Sequence, residues 1–311
     1  MASSNTVGVW SRCCPVCWGL GEDHIITKIE IGQYKKLSSV TVDCKKVNIF
    51  LGVPGSGKTA ILETLALWMI FVSHQELAIG DVAAIKDWRE LEGTKITYYD
   101  TYASAKLEIS RDGKHLITYY KGEPVALLRS GDRSLKKWWV GSCEIEKPKI
   151  AYYRFGNPSF PVVIKDYVVP PYGANMDYIL PLSKSLYGIA EEYGYKKGHF
   201  NELPEPVRRY LFYLAVVGFS DNMIIAIDDM TCGYPPFSKV VAESIARDER
   251  NQYFIATYDE NILLPLIEKT PKKDLTIYVV KDDVKRADPE KILDLSCDVY
   301  FNLDIIAGGE T

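Results

Sequence analysis

The chain has 311 residues, 47% of them hydrophobic and 25% charged, a balance that suits a folded protein with a sizeable core and excludes a low-complexity chain. A formal net charge of -4 gives no global attraction to nucleic acid, and no run of 18 or more apolar residues offers a membrane span. The first residues lack the charged and apolar regions of a secretory signal, and seven scattered cysteines suit a reducing compartment, so a soluble cytoplasmic protein is expected.

Residues 1–23 read as a loose tail with cysteines at 13, 14 and 17. Cys14-Pro15-Val16-Cys17 is a CxxC, but a tetrahedral zinc site needs four ligands, and His24 and Cys44 follow without a second pair. A free-thiol tail is the simpler reading, and a zinc site shared across a dimer is the alternative. Strand-like runs follow at Ile25–Ile31, Val40–Asp43 and Val47–Leu51, the last short and mostly apolar, as a buried parallel strand requires.

Next comes Gly52-Val53-Pro54-Gly55-Ser56-Gly57-Lys58-Thr59, which fits GxxxxGK[ST] in full. Glycines let the backbone curl so that several N–H groups point at phosphate oxygens. Lys58 is placed to reach the β and γ phosphates, Thr59 to hold Mg²⁺ through its hydroxyl, and Ala60 continues the phosphate contacts into the helix. The helix dipole adds to the attraction for anions. A chance match is expected in roughly one chain of this length in a hundred, and a strand before with a helix after lowers that further. The helix is predicted over Lys58–Leu77.

Between 94 and 169 the texture changes to short runs rich in Tyr, Ile, Val and Thr, separated by Asp112-Gly113, Lys121-Gly122, Gly131-Asp132 and Gly156-Asn157. Such punctuation predicts an antiparallel β insertion within a core made of residues 24–93 and 170–311. Residues 94–154 hold 12 Lys and Arg against 7 Asp and Glu, which keeps nucleic acid among the candidate partners. Arg133-Ser134-Leu135-Lys136-Lys137-Trp138-Trp139 could stack bases beside a cationic groove, although a hairpin burying two tryptophans explains the same letters.

Past Pro170, helix and strand alternate. Helices are predicted over Leu182–Tyr193, Pro204–Phe219, Phe237–Asp248 and Glu260–Glu268, and strands over Asn222–Asp229, Tyr253–Thr257 and Leu275–Lys281. This order predicts an α/β fold, a largely parallel sheet flanked by helices. Met223–Asp229 is an apolar strand ending in two carboxylates. Asp228, at the strand's C-terminal end, is placed to coordinate Mg²⁺ with Thr59, and Asp229 to orient or deprotonate an attacking water, with Lys58 as the second catalytic group. A strand running out into a solvated acidic turn is the plainer alternative.

Thr27–Thr59 resembles the opening of the ABC-type ATPases of the RecF and SMC branch: a strand, an aromatic-basic pair at Tyr34-Lys35, a second strand, then the phosphate loop. Leu203 through Asp229 and on to Thr257-Tyr258-Asp259 resembles that family's signature, Walker B and switch regions, and Pro170–Asn175 is similar to a segment of its small stand-alone members. The resemblance implies a P-loop NTPase fold, bound ATP and Mg²⁺, and head-to-tail dimers with nucleotide at the seam. By position it puts Lys35 and Lys36 near phosphate or adenine, and Arg208 or Arg209 in reach of a partner's nucleotide.

The departures are specific. Leu203-Pro204-Glu205-Pro206 replaces the signature's Ser and Gly, Tyr258 stands at the switch histidine, and Gln75 is too near the loop to serve as the Q-loop glutamine. Asp229 is one methylene shorter than the family's catalytic glutamate. ATP binding with slow hydrolysis is therefore the expectation, and a non-hydrolysing nucleotide switch is the alternative. A small-molecule P-loop kinase needs an Arg-rich lid, for which only Arg208–Arg209 are at hand.

Overall fold

The computed structural model describes residues 25–72, 93–100, 104–109, 115–120, 123–130, 135–140, 150–153, 175–295, 299 and 302–306. The cysteines at 13, 14 and 17, Gln75, residues 73–77 of the predicted helix and residues 170–174 lie outside the described residues.

Strands β1 (Ile26–Tyr34) and β2 (Leu37–Asp43) form a hairpin in which Tyr34 pairs with Leu37 across Lys35-Lys36. Lys35 has φ of 50°, the sign that a tight hairpin turn demands and that a lysine adopts only under constraint. Strands β3 (Val47–Leu51), β4 (Lys95–Asp100), β5 (Ser104–Ile109), β6 (His115–Tyr120), β7 (Glu123–Ser130), β8 (Leu135–Val140) and β9 (Ile150–Tyr153) follow. Among the described residues one sheet runs β2-β1-β4-β5-β6-β7-β8, antiparallel throughout. The turn pairs at 112–113, 121–122 and 131–132 lie outside the described residues, though strands flank each of them.

The second sheet adds β10 (Ile224–Ile227), β11 (Gln252–Ala256), β12 (Leu275–Val280) and β13 (Val284–Arg286) in the order β13-β12-β3-β11-β10-β9. Only β13 is antiparallel among these described pairs. Residues 150–153, which the sequence pattern groups with the β-rich segment, thus pair in parallel with β10, while β1 and β2 join the antiparallel sheet. Pairing partners far apart in sequence decide this, and local hydrophobic periodicity carries no record of them.

Helix α1 (Lys58–Val72) lies between the two sheets. Its Ile61, Leu62 and Leu65 share a core with Ile29 and Ile31 of the antiparallel sheet and with Phe50, Ala226 and Phe254 of the parallel one. The other face of the parallel sheet, with Ile49, Ile225, Ile227 and Ile255, packs against α2 (Met176–Ile179), α3 (Lys184–Glu192), α4 (Glu205–Phe219), α5 (Pro235–Arg247) and α6 (Glu260–Lys269). Helices α7 (Pro289–Asp294) and α8 (Leu303–Ile306) complete that layer. Full burial of such a side chain stabilises by about 1.5–3 kcal/mol, so both layers help to hold the parallel sheet. Gln252 ties the sheets together: its Oε1 accepts from Ile26 N at 2.9 Å and its Nε2 donates to Ile26 O at 2.8 Å and Lys45 O at 2.7 Å. No helix among the described residues is long and apolar enough to cross a membrane.

Candidate nucleotide-binding site

The loop 52–57 joins central strand β3 to α1 at the C-terminal edge of the parallel sheet, where open α/β sheets bind ligands. Gly52 has φ of 156°, and a Cβ there would stand 2.3 Å from the Val280 carbonyl oxygen and 2.6 Å from Ser56 Oγ. Neighbouring strand β12 thus fixes glycine at this position. Gly57 has φ of 117°, and its Cβ would come within 3.0 Å of Lys36 Cε. The curl is closed by Ser56 N donating to Val53 O at 3.1 Å, and Ile61 N donates to Gly57 O at 3.1 Å. The first amides of a helix have no acceptor within it, so this end of α1 presents donors and a partial positive charge.

Lys58 folds over the loop. Its ammonium donates to the Gly52 carbonyl and, at 3.0 Å, to that of Val53. Burial pushes this ammonium below its ordinary value, against the opposing charges of Asp228 and Asp229. The Thr59 hydroxyl lies 3.1 and 3.0 Å from the two oxygens of Asp228. Asp228 is 2% exposed and also accepts from the Tyr152 hydroxyl at 2.9 Å. Two hard oxygen donors therefore converge, and they could hold Mg²⁺, which takes one or two carboxylates and draws its other ligands from phosphate and water. Among the described residues no three His, Cys, Asp or Glu side chains cluster to hold a metal by themselves.

Asp229 follows directly, close enough for its charge to act on Lys58. It is exposed, with φ of 55°, a left-handed conformation that aspartate tolerates better than most residues. The turn is pinned behind it by Met230 N donating to Ala256 O at 2.9 Å and by the Thr257 hydroxyl donating to Met230 O at 2.7 Å.

On the other side of the loop a cavity of about 330 Å³ opens, lined by Lys35, Lys36, Gly57, Thr59 and Glu63 among others. Lys36 donates to the Gly55 carbonyl. Glu63 sits one helical turn beyond Thr59 and is 5% exposed. Its Oε2 accepts from Lys35 Nζ at 2.7 Å and from the Tyr34 hydroxyl at 3.0 Å. Burial pushes the Glu63 carboxyl up, and these two partners pull only part of the way back. Tyr34 is itself fully buried, so its ring belongs to the core rather than to the cavity.

The signature-like segment starts α4. Pro204 precedes the helix without a side-chain cap, and Glu205 opens it. Arg209 donates to Glu205 from Nε at 2.8 Å and Nη2 at 2.7 Å, and to Thr231 O from Nη1 at 3.4 Å. Arg208 Nε is buried with no hydrogen-bond partner among the described residues. Tyr258 is 47% exposed; burial pushes its hydroxyl up, the Asp229 charge adds to this and Arg209 opposes it. Asp259 caps α6 and accepts from Thr231 at 2.9 Å and Ser238 at 2.8 Å.

Gly52 to Ala60, Lys35, Lys36 and Asp228 gather at the loop, and exposed Asp229 acts by its charge on both Lys58 and Tyr258. Sequence reasoning missed Tyr152 and Glu63. The signal for Glu63 was a carboxylate inside the apolar run Ala60–Leu67; for Tyr152 no local signal exists.

Fold and site together define an α/β phosphate-loop protein, with the loop on a central strand and a buried aspartate two strands away. No family model matches the sequence, and no curated protein matches it. Among solved structures the chain is similar to an SMC head bound to the C-terminal winged-helix domain of ScpA, at 11% identity over 86% of this chain and 99% of that one, with a TM-score of 0.49. It is similar to the SMC head domain from Thermotoga maritima, at 10% identity over 84% and 97%, with a TM-score of 0.46. It is also similar to the recombination mediator RecF with ATP, at 11% identity over 85% and 99%, with a TM-score of 0.45.

Proposed function

We propose that the chain binds Mg-ATP at Gly52–Thr59 and Asp228, hydrolyses it slowly, and associates with a second copy in a nucleotide-dependent way. The observation that carries the reading is the Thr59–Asp228 contact beside a complete phosphate loop: hydroxyl, carboxylate, ammonium and helix N-terminus meet at one edge of the sheet. Lys58 exchanges its carbonyl acceptors for phosphate oxygens, which hold its charge better. Bound Mg²⁺ would neutralise phosphate charge next to Thr59 and Asp228. Asp229, exposed beyond that pair, receives the proton of an attacking water or orients the water for in-line attack.

A second reading, a non-hydrolysing switch, is favoured by the start of α4. A carboxylate at Glu205 and prolines at 204 and 206 occupy the place where a phosphate-gripping end is expected, and Arg209 is already engaged by Glu205. Calorimetric titration with Mg-ATP tests the binding common to both readings. Lys58→Ala is expected to weaken binding by about a hundredfold, since it removes a charge-assisted contact to two phosphates. Equal affinity of the two proteins would remove the loop from the account.

A further inference from the structure

Glu63 is a buried carboxylate beside the loop that the proposed chemistry leaves unused. Its surroundings are costly to build. The side chain is 5% exposed, Oε1 is buried without a hydrogen-bond partner among the described residues, and Oε2 gathers Lys35 and Tyr34. A buried unsatisfied oxygen destabilises a fold, and native proteins keep few of them. Lys35 in turn sits at φ of 50°, a conformation that a lysine does not choose for itself. Both costs are met at one point, where the β1–β2 turn touches α1. On the same turn Lys36 reaches the Gly55 carbonyl, and both lysines line the cavity beside the loop.

We infer that Glu63 is a positioning residue of the nucleotide site: through Tyr34 and Lys35 it clamps the β1–β2 turn onto α1 and so sets both lysine ammonium groups beside the triphosphate. This rests on the ATP reading above. Without the clamp the turn is free to relax its left-handed lysine, and the two cations lose their fixed relation to the phosphate loop. Preorganised cations bind phosphate more tightly because no ordering remains to be done on binding.

The test uses the full chain with ATP and Mg²⁺ in four forms: unsubstituted, Glu63→Gln, Lys35→Met and the double variant. Each single change is expected to weaken ATP binding about tenfold. The double variant is expected to be no weaker than the worse single, because both remove one clamp. A double loss near a hundredfold means that the residues act separately, and it overturns the inference. Hydrogen exchange of residues 34–37 gives a readout that needs no nucleotide: Glu63→Gln should speed it roughly tenfold. Unchanged exchange also overturns the inference. If the unsubstituted chain binds no ATP, the functional reading fails and takes the positioning role with it, while the exchange data still report whether the clamp exists.

Discussion

On the phosphate-loop side of the site, Lys58, Asp228 and Glu63 each hold an internal partner, and the first folds back onto its own loop. On the far side, Asp229 is exposed in a left-handed turn, Tyr258 is half-exposed, and Arg209 is drawn toward Glu205. The first half is held together by its own side chains. In the second, Arg209 is held by side-chain and backbone partners, Glu205 and the Thr231 carbonyl, while Asp229 and Tyr258 reach solvent. On the proposed reading, binding and turnover rest on different residues and can be separated by substitution.

The largest expected effect comes from breaking the assembled half. Gly52→Ala places a methyl 2.3 Å from the Val280 carbonyl oxygen, in a backbone conformation that alanine resists. It should destabilise the fold by roughly 3 kcal/mol or more, seen as a fall in the thermal midpoint and lost ATP binding. An unchanged midpoint would mean that β12 does not confine the loop. Next, Asp229→Asn should lower phosphate release by about 10²-fold while ATP affinity stays within about twofold. Parallel losses in both would erase the distinction between the halves.

The smallest effect is a control outside both halves. Asp248 accepts from the Tyr253 hydroxyl, the Asn251 amide and Arg250. Burial opposes its ionisation, but those donors outweigh it and hold the carboxyl below its ordinary value. In the window between the folded and ordinary values the unfolded chain binds more protons. The stability that Asp248 contributes is therefore present above the ordinary value of 3.8 and is lost as pH falls through the folded one. Asp248→Asn should cost about 2 kcal/mol at neutral pH, flatten the acid limb of a stability curve, and leave ATP affinity per folded molecule unchanged. An acid limb as steep as before would assign it to other carboxylates.

Much of the assembled half was legible in the sequence because its requirements are local. Glycines at fixed spacing, a lysine, a threonine and a strand end carry their geometry with them. Glu63 and Tyr152 were not legible, since their roles depend on which elements become neighbours. Glu63 matters because a turn 28 residues earlier folds onto α1, and Tyr152 because the pairing of β9 with β10 brings it to Asp228, 76 residues later. The four helices and three strands predicted past Pro170 matched their spans closely, since each is an apolar run or an apolar face of fair length, whereas the short α2, β13, α7 and α8 were not foreseen. The two-sheet arrangement did not follow from those spans, because strand order is a long-range choice.

The central claim is that the phosphate loop is a ready-made grip for ATP. Native mass spectrometry of the chain with and without Mg-ATP tests it most directly. One ATP bound per chain is expected, with a doubled mass appearing only when nucleotide is present. A spectrum showing bare monomer at millimolar Mg-ATP would contradict it.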